Sequence, residues 1–150
     1  MKESPQSKKL EAMLRSSKLV AGGFLGTDNR SVSEIIETDR QTAAAAGYST
    51  AEIARRMQEI TDIAVTGLGN FVRIDEGLEA MVEEAKGSLV CPWPHPGTYA
   101  KRVTILRDTK NQKLLQWSDL NIHMIAEHGF FEGRGSTFRL EPDELADVIF

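Results

Sequence analysis

Cys91, His95, His123 and His128 are the sole cysteine and all three histidines of a 150-residue chain, and they fall in two close pairs in its second half. Thiolate and imidazole are the ligands zinc prefers, and structural zinc sites often join a close pair on a turn to a His-x(3 to 5)-His pair on a helix. The second pair here is His-x4-His, which predicts a transition-metal site, most simply zinc, shared by the four residues. Geometry places demands on it. Positions 123 and 128 stand about 140° apart on an ideal helix, so the last turn is expected to loosen or tighten. Drawn out as polyproline, Cys91 and His95 would stand roughly 12 Å apart, so the segment between them must bend, a cis proline being one means.

Glu127 lies one turn beyond His123, on the same helix face, and could replace His128 as a ligand or act as a base beside a metal. Gly133-Arg134-Gly135-Ser136 offers a second centre. Its glycines let the backbone aim N–H groups at one point, and Arg134, Ser136 and Arg139 could contact a phosphate or carboxylate. It lacks the spacing and lysine of a P-loop. Together these residues would suit a metal-dependent hydrolase or lyase acting on a small anionic substrate, the alternative to a zinc-binding module with a binding or regulatory role. Glu34, Glu37 and Asp39 read as a solvated helix face.

Elements that could position these groups follow from periodicity and punctuation. Ser4-Pro5 starts a helix with Leu10, Met13 and Leu14 on one face and the Gly22-Gly23 pair as its stop. Ser31 and Glu34 open a second helix, which Gly47 ends. Ser49 and Glu52 open a third, whose Ile53, Met57, Ile60 and Ala64 make a narrow apolar stripe. Leu78, Met81, Val82 and Ala85 share one face of a predicted fourth helix from Asp75 to Gly87. The three prolines of Cys91-Pro92-Trp93-Pro94-His95-Pro96-Gly97 then forbid both helix and central strand. Beyond them Tyr99, Val103 and Ile105, a turn over 108–112, and Leu115 and Trp117 predict a β-hairpin. Ser118 caps a helix that Gly129 terminates, Thr137 to Leu140 is a short strand, and Pro142 opens a final helix. The fold class is α+β in a single domain, 1–150: a helical N-terminal half, 1–87, packed with an α+β half, 88–150, that carries the candidate metal site.

At 41% hydrophobic and 27% charged residues the chain has the composition of one compact domain, and its mean hydropathy of −0.30 and lack of a long apolar run exclude a membrane span. The lysine- and glutamate-bearing N-terminus does not read as a secretory signal, and a lone cysteine suits a reducing interior, so a cytoplasmic protein is expected. A net charge of −4 argues against a dedicated nucleic-acid binder. Ser49 to Met57 resembles the first helix of a helix-turn-helix unit, but no basic recognition helix follows. Residues 31–90 are strongly acidic, whereas Lys101, Arg102, Arg107, Lys110 and Lys113 form a basic stretch with Asp108 alone against them. Apolar stripes on the N-terminal helices would serve equally in the core or in a homodimer seam.

Three segments also carry a resemblance. Gly23-Phe24-Leu25-Gly26-Thr27-Asp28, the Cys-Pro-Trp-Pro-His run, and the stretch from Asn121 to Ser136 are similar to an uncharacterised bacterial family of conserved cytosolic proteins. The resemblance implies a bacterial, intracellular origin for one undivided unit from about Leu19 onward. It implies no reaction, cofactor or site residue.

Overall fold

A computed structural model describes residues 4–16 and 23–150. In chain order these form α1 (Pro5–Arg15), α2 (Val32–Ala45), α3 (Thr50–Val65), β1 (Val72–Asp75), β2 (Leu78–Val90), β3 (Thr98–Asp108), β4 (Lys113–Ser118), α4 (Asp119–His128) and α5 (Pro142–Ile149). The strands make one antiparallel meander, β1-β2-β3-β4, so the class is α+β as expected. Among the described residues no helix is long and apolar enough to cross a membrane.

The helix starts follow the chain's capping chemistry. Ser4, Ser31, Ser49 and Ser118 each accept a backbone N–H of the first turn, which satisfies a donor that would otherwise lack a partner. α1 ends at Arg15, ahead of the expected glycine stop, and Gly22 lies outside the described residues. On α3 the stripe Ile53, Met57, Ile60 and Ala64 is fully buried, packed with Ala80, Val82, Leu106 and Trp117 of the sheet. Each such large side chain contributes about 1.5–3 kcal/mol relative to exposure.

Two expected elements are corrected. Residues 72–75 and 78–90 are strands joined by a turn, not a fourth helix, so the first 87 residues are not purely helical. Leu78, Ala80 and Val82 point inward in alternation, and Gly77 turns the chain between β1 and β2, so pairing with β3 prevails over a helical spacing of Leu78, Met81, Val82 and Ala85. Thr137 to Leu140 is turn and irregular chain instead of a strand. Arg139 is drawn inward there to Asp39 of α2, at 2.9 Å, and to Glu141. Asp39, expected on a solvated face, is therefore only 2% exposed.

Charge segregation along the sequence is cancelled in the sheet. Arg107 pairs with Glu79 directly across β2 and β3, Arg102 faces Glu84, and Lys110 approaches Glu76. Three of the five basic residues thus face carboxylates of the acidic stretch.

Two glycine-bearing loops, 23–28 and 133–136, pack backbone against backbone. A β-carbon on Gly26 would lie 2.3 Å from Ser136 N, and one on Gly133 would lie 2.4 Å from the Leu25 carbonyl oxygen, so no side chain fits at either place. α4 divides the interior: Ile122 and Ile125 join the sheet–α3 cluster, while Leu120 and Met124 join Leu14, Phe24, Ile35, Cys91 and Phe130. His123 and His128 project from this doubly anchored helix.

Candidate metal centre

Cys91 follows the end of β2, His95 sits in the proline-rich connector to β3, and His123 and His128 lie on α4. One ligand atom from each of the four lies within 4.8 Å of all the others. His95 Nε2 stands 3.1 Å from His123 Nε2 and 3.3 Å from His128 Nε2, and Cys91 Sγ stands 3.6 Å from His128 Nε2. A tetrahedral ion bonded at about 2.0–2.1 Å to nitrogen and about 2.3 Å to sulfur spaces its ligand atoms about 3.3–3.6 Å apart. The 3.3 and 3.6 Å separations fall in that range, and the 3.1 Å separation is 0.2 Å short of it.

Both geometric demands are met without distortion. The helix holds its form through His128 and closes on Gly129 in the left-handed region, φ 65°, whose N–H bonds back to the Ile125 carbonyl. His95 enters between the two diverging imidazoles, so the ring tips converge although the helix positions do not. The connector bends with no cis peptide bond among the described residues: His95 N–H bonds to the Trp93 carbonyl at 2.9 Å, and Gly97 takes φ 128°.

Surrounding groups orient the rings. His95 Nδ1 lies 3.0 Å from the Pro96 carbonyl oxygen. A carbonyl only accepts, so Nδ1 carries the proton and Nε2 turns its lone pair toward the other ligands. Tyr99 OH lies 3.0 Å from His123 Nδ1. Trp93 stacks on His128 at 4.1 Å between centroids and meets Phe130 edge-on. Burial, reinforced by the neighbouring imidazoles, holds His123 and His128 below the usual histidine range, and burial pushes the Cys91 thiol up. Burial thus favours the uncharged forms of His123, His128 and Cys91, and the neutral imidazoles of α4 keep a lone pair each for a cation.

No protein-family model, curated protein or solved structure matches the chain. The centre's chemistry is read from its own residues.

The remaining candidate residues divide differently. Glu127 is exposed, and its negative charge acts on His123, His128 and Tyr99. Three backbone donors of the Gly133–Ser136 loop are already spent internally. Gly133 N–H bonds the Phe24 carbonyl, Arg134 N–H bonds the Asp28 carboxylate at 3.1 Å, and Ser136 N–H bonds the Gly133 carbonyl. Arg139 is saturated by Asp39, Glu141 and the Glu132 carbonyl. The anion met by this loop is Asp28, whose carboxyl Arg30 holds far below the usual range. Gly135 is exposed and in the left-handed region, beside Thr27, and Arg134 extends to solvent.

Tyr99 and Trp93 are the site residues that sequence reasoning did not assign. Tyr99 reads as one member of a strand alternation, and Trp93 as part of a stiff connector. Their signal is proximity in sequence to Cys91 and His95, which types and spacing alone do not turn into a contact with α4.

Proposed function

We propose that this chain holds one zinc ion through Cys91, His95, His123 and His128, and that the metal is mainly structural in a protein with a binding or regulatory role. The observation that carries the reading is the convergence of four ligand atoms, from segments nearly thirty residues apart, to within 4.8 Å. One thiolate and three imidazoles make a borderline-soft donor set, better suited to zinc than to calcium or magnesium. With all four engaged no position is left for water, which favours a structural centre over the hydrolase reading with Glu127 as base. The ion would pin the proline-rich connector onto the C-terminal end of α4. A cytosolic, bacterial setting accompanies this proposal, with Cys91 serving as a ligand.

The test is the metal content of untagged protein purified without chelator or added metal. The proposal expects one zinc per chain, lost in His123→Ala; metal-free protein that ignores both added zinc and chelator would overturn it.

A further inference from the structure

A second built feature lies apart from the metal ligands, where the β2–β3 ladder is interrupted. Glu84 pairs with Arg102 and Ser88 pairs with Ala100, so three residues, Ala85, Lys86 and Gly87, face Lys101 alone. A bulge of this kind twists the strand locally and re-aims side chains, and bulges recur beside binding sites. Ala85 and Lys101 border a cavity of about 310 Å³ whose walls are Phe24, Leu89, Val103, Leu120 and Phe138. None of the four metal ligands borders it.

The polar groups are few and individually constrained. Arg102 is neutralised by Asp119, 2.9 Å away. The exposed Lys101 has no ion-pair partner among the described residues, so it is the cavity's uncompensated charge. Glu132 is 3% exposed and sits at φ 68°, a left-handed conformation that costs a non-glycine residue free energy. Its Oε2 accepts the Asn121 amide, and Asn121 in turn makes the capping box with Ser118. Burial pushes the Glu132 carboxyl up to about 7, which mutes its negative charge below neutrality. Small-molecule sites have this composition: mostly apolar walls, a few fixed polar groups, and volumes from about 300 Å³ upward.

We infer that this cavity binds a small ligand with a compact apolar body and a single carboxylate, the body against Phe24, Val103, Leu120 and Phe138 and the carboxylate paired with Lys101. Size sets the class, since a volume at the low end of ligand sites excludes cofactor-sized molecules. The sign follows from Lys101.

Calorimetric titration of the full chain at pH 6.5 with octanoate, octanol and octylamine tests the inference. Octanoate is expected to bind saturably, one per chain, at least about fivefold tighter than octanol, with no binding of octylamine. Lys101→Gln should bring octanoate to the affinity of octanol and leave octanol unchanged. Val103→Trp should abolish both, and Ala85→Trp, on the exposed bulge, fills the same space should the first variant fail to fold. No saturable octanoate binding, a preference for octylamine, or undiminished binding in a folded tryptophan variant would each overturn the proposal.

Discussion

The Tyr99 hydroxyl lies 3.0 Å from His123 Nδ1, and the phenol ring stacks on the imidazole with centroids 4.3 Å apart. This contact ties β3 to α4 and fixes which nitrogen of His123 turns toward His95. Groups that orient metal-ligating histidines typically contribute 10–100-fold to affinity. Tyr99→Phe keeps the stacking and removes only the hydroxyl, so zinc affinity should fall about tenfold with stoichiometry unchanged. Competition against a chromophoric chelator measures it, and an unaltered affinity would show that the hydroxyl does not orient the ring.

Glu132 gives the fold a pH signature. Its carboxyl titrates near 7 in the native protein and near the ordinary glutamate value, about 4.3, when unfolded. Between those values the native chain keeps a proton that the unfolded chain has lost. This group's contribution to stability is therefore fullest below about pH 4.3 and is lost as pH rises through 7, on the order of 3 kcal/mol. Urea unfolding between pH 5 and 8 should show that decline in the native sequence relative to Glu132→Gln; parallel profiles for the two proteins would refute the assignment.

Asp39 and Arg139 form the most buried ion pair among the described residues, and Arg139 also bonds Glu141 and the Glu132 carbonyl. Removing one partner strands the other charge away from water. Asp39→Ala should cost about 3–5 kcal/mol, and adding Arg139→Met should recover part of the loss. Additive losses in denaturant titrations of the two single variants and the double variant would show that the pair is not coupled.

Thr61 links α3 to the sheet. Its hydroxyl oxygen accepts the Trp117 indole N–H at 2.9 Å and lies 2.6 Å from the Thr104 hydroxyl, all three residues being buried. Thr61→Val conserves volume but leaves the indole donor unpaired, at a cost of about 1–3 kcal/mol. Thermal unfolding provides the check, and a Tm unchanged by the substitution would mean that the indole has found another partner.

Features decided by neighbours in sequence were legible before the fold was known. The Ser49–Glu52 capping box and the Ile53, Met57, Ile60, Ala64 stripe are local patterns, and α3 adopts both. Ligand types were legible too, because thiolate and imidazole chemistry belongs to the residue and not to its surroundings. The β2 segment reads equally as helix, because Leu78, Met81, Val82 and Ala85 satisfy a helical spacing while Leu78, Ala80 and Val82 satisfy a strand's, and only pairing with β3 decides between them. The partnership of Asp39 with Arg139, a hundred residues apart, has no local signal. Nor has the use of Gly133–Ser136 as a dock for Asp28, since a loop that presents donors reads alike whether its anion comes from the chain or from solution.

X-ray absorption at the zinc edge, on protein loaded with one equivalent of the metal, tests the central claim most directly. Cys91, His95, His123 and His128 acting together predict one sulfur at about 2.3 Å and three nitrogens at about 2.0–2.1 Å, with the sulfur lost in Cys91→Ser. A coordination shell of oxygen alone, a spectrum unchanged by Cys91→Ser, or failure to retain the ion would contradict it.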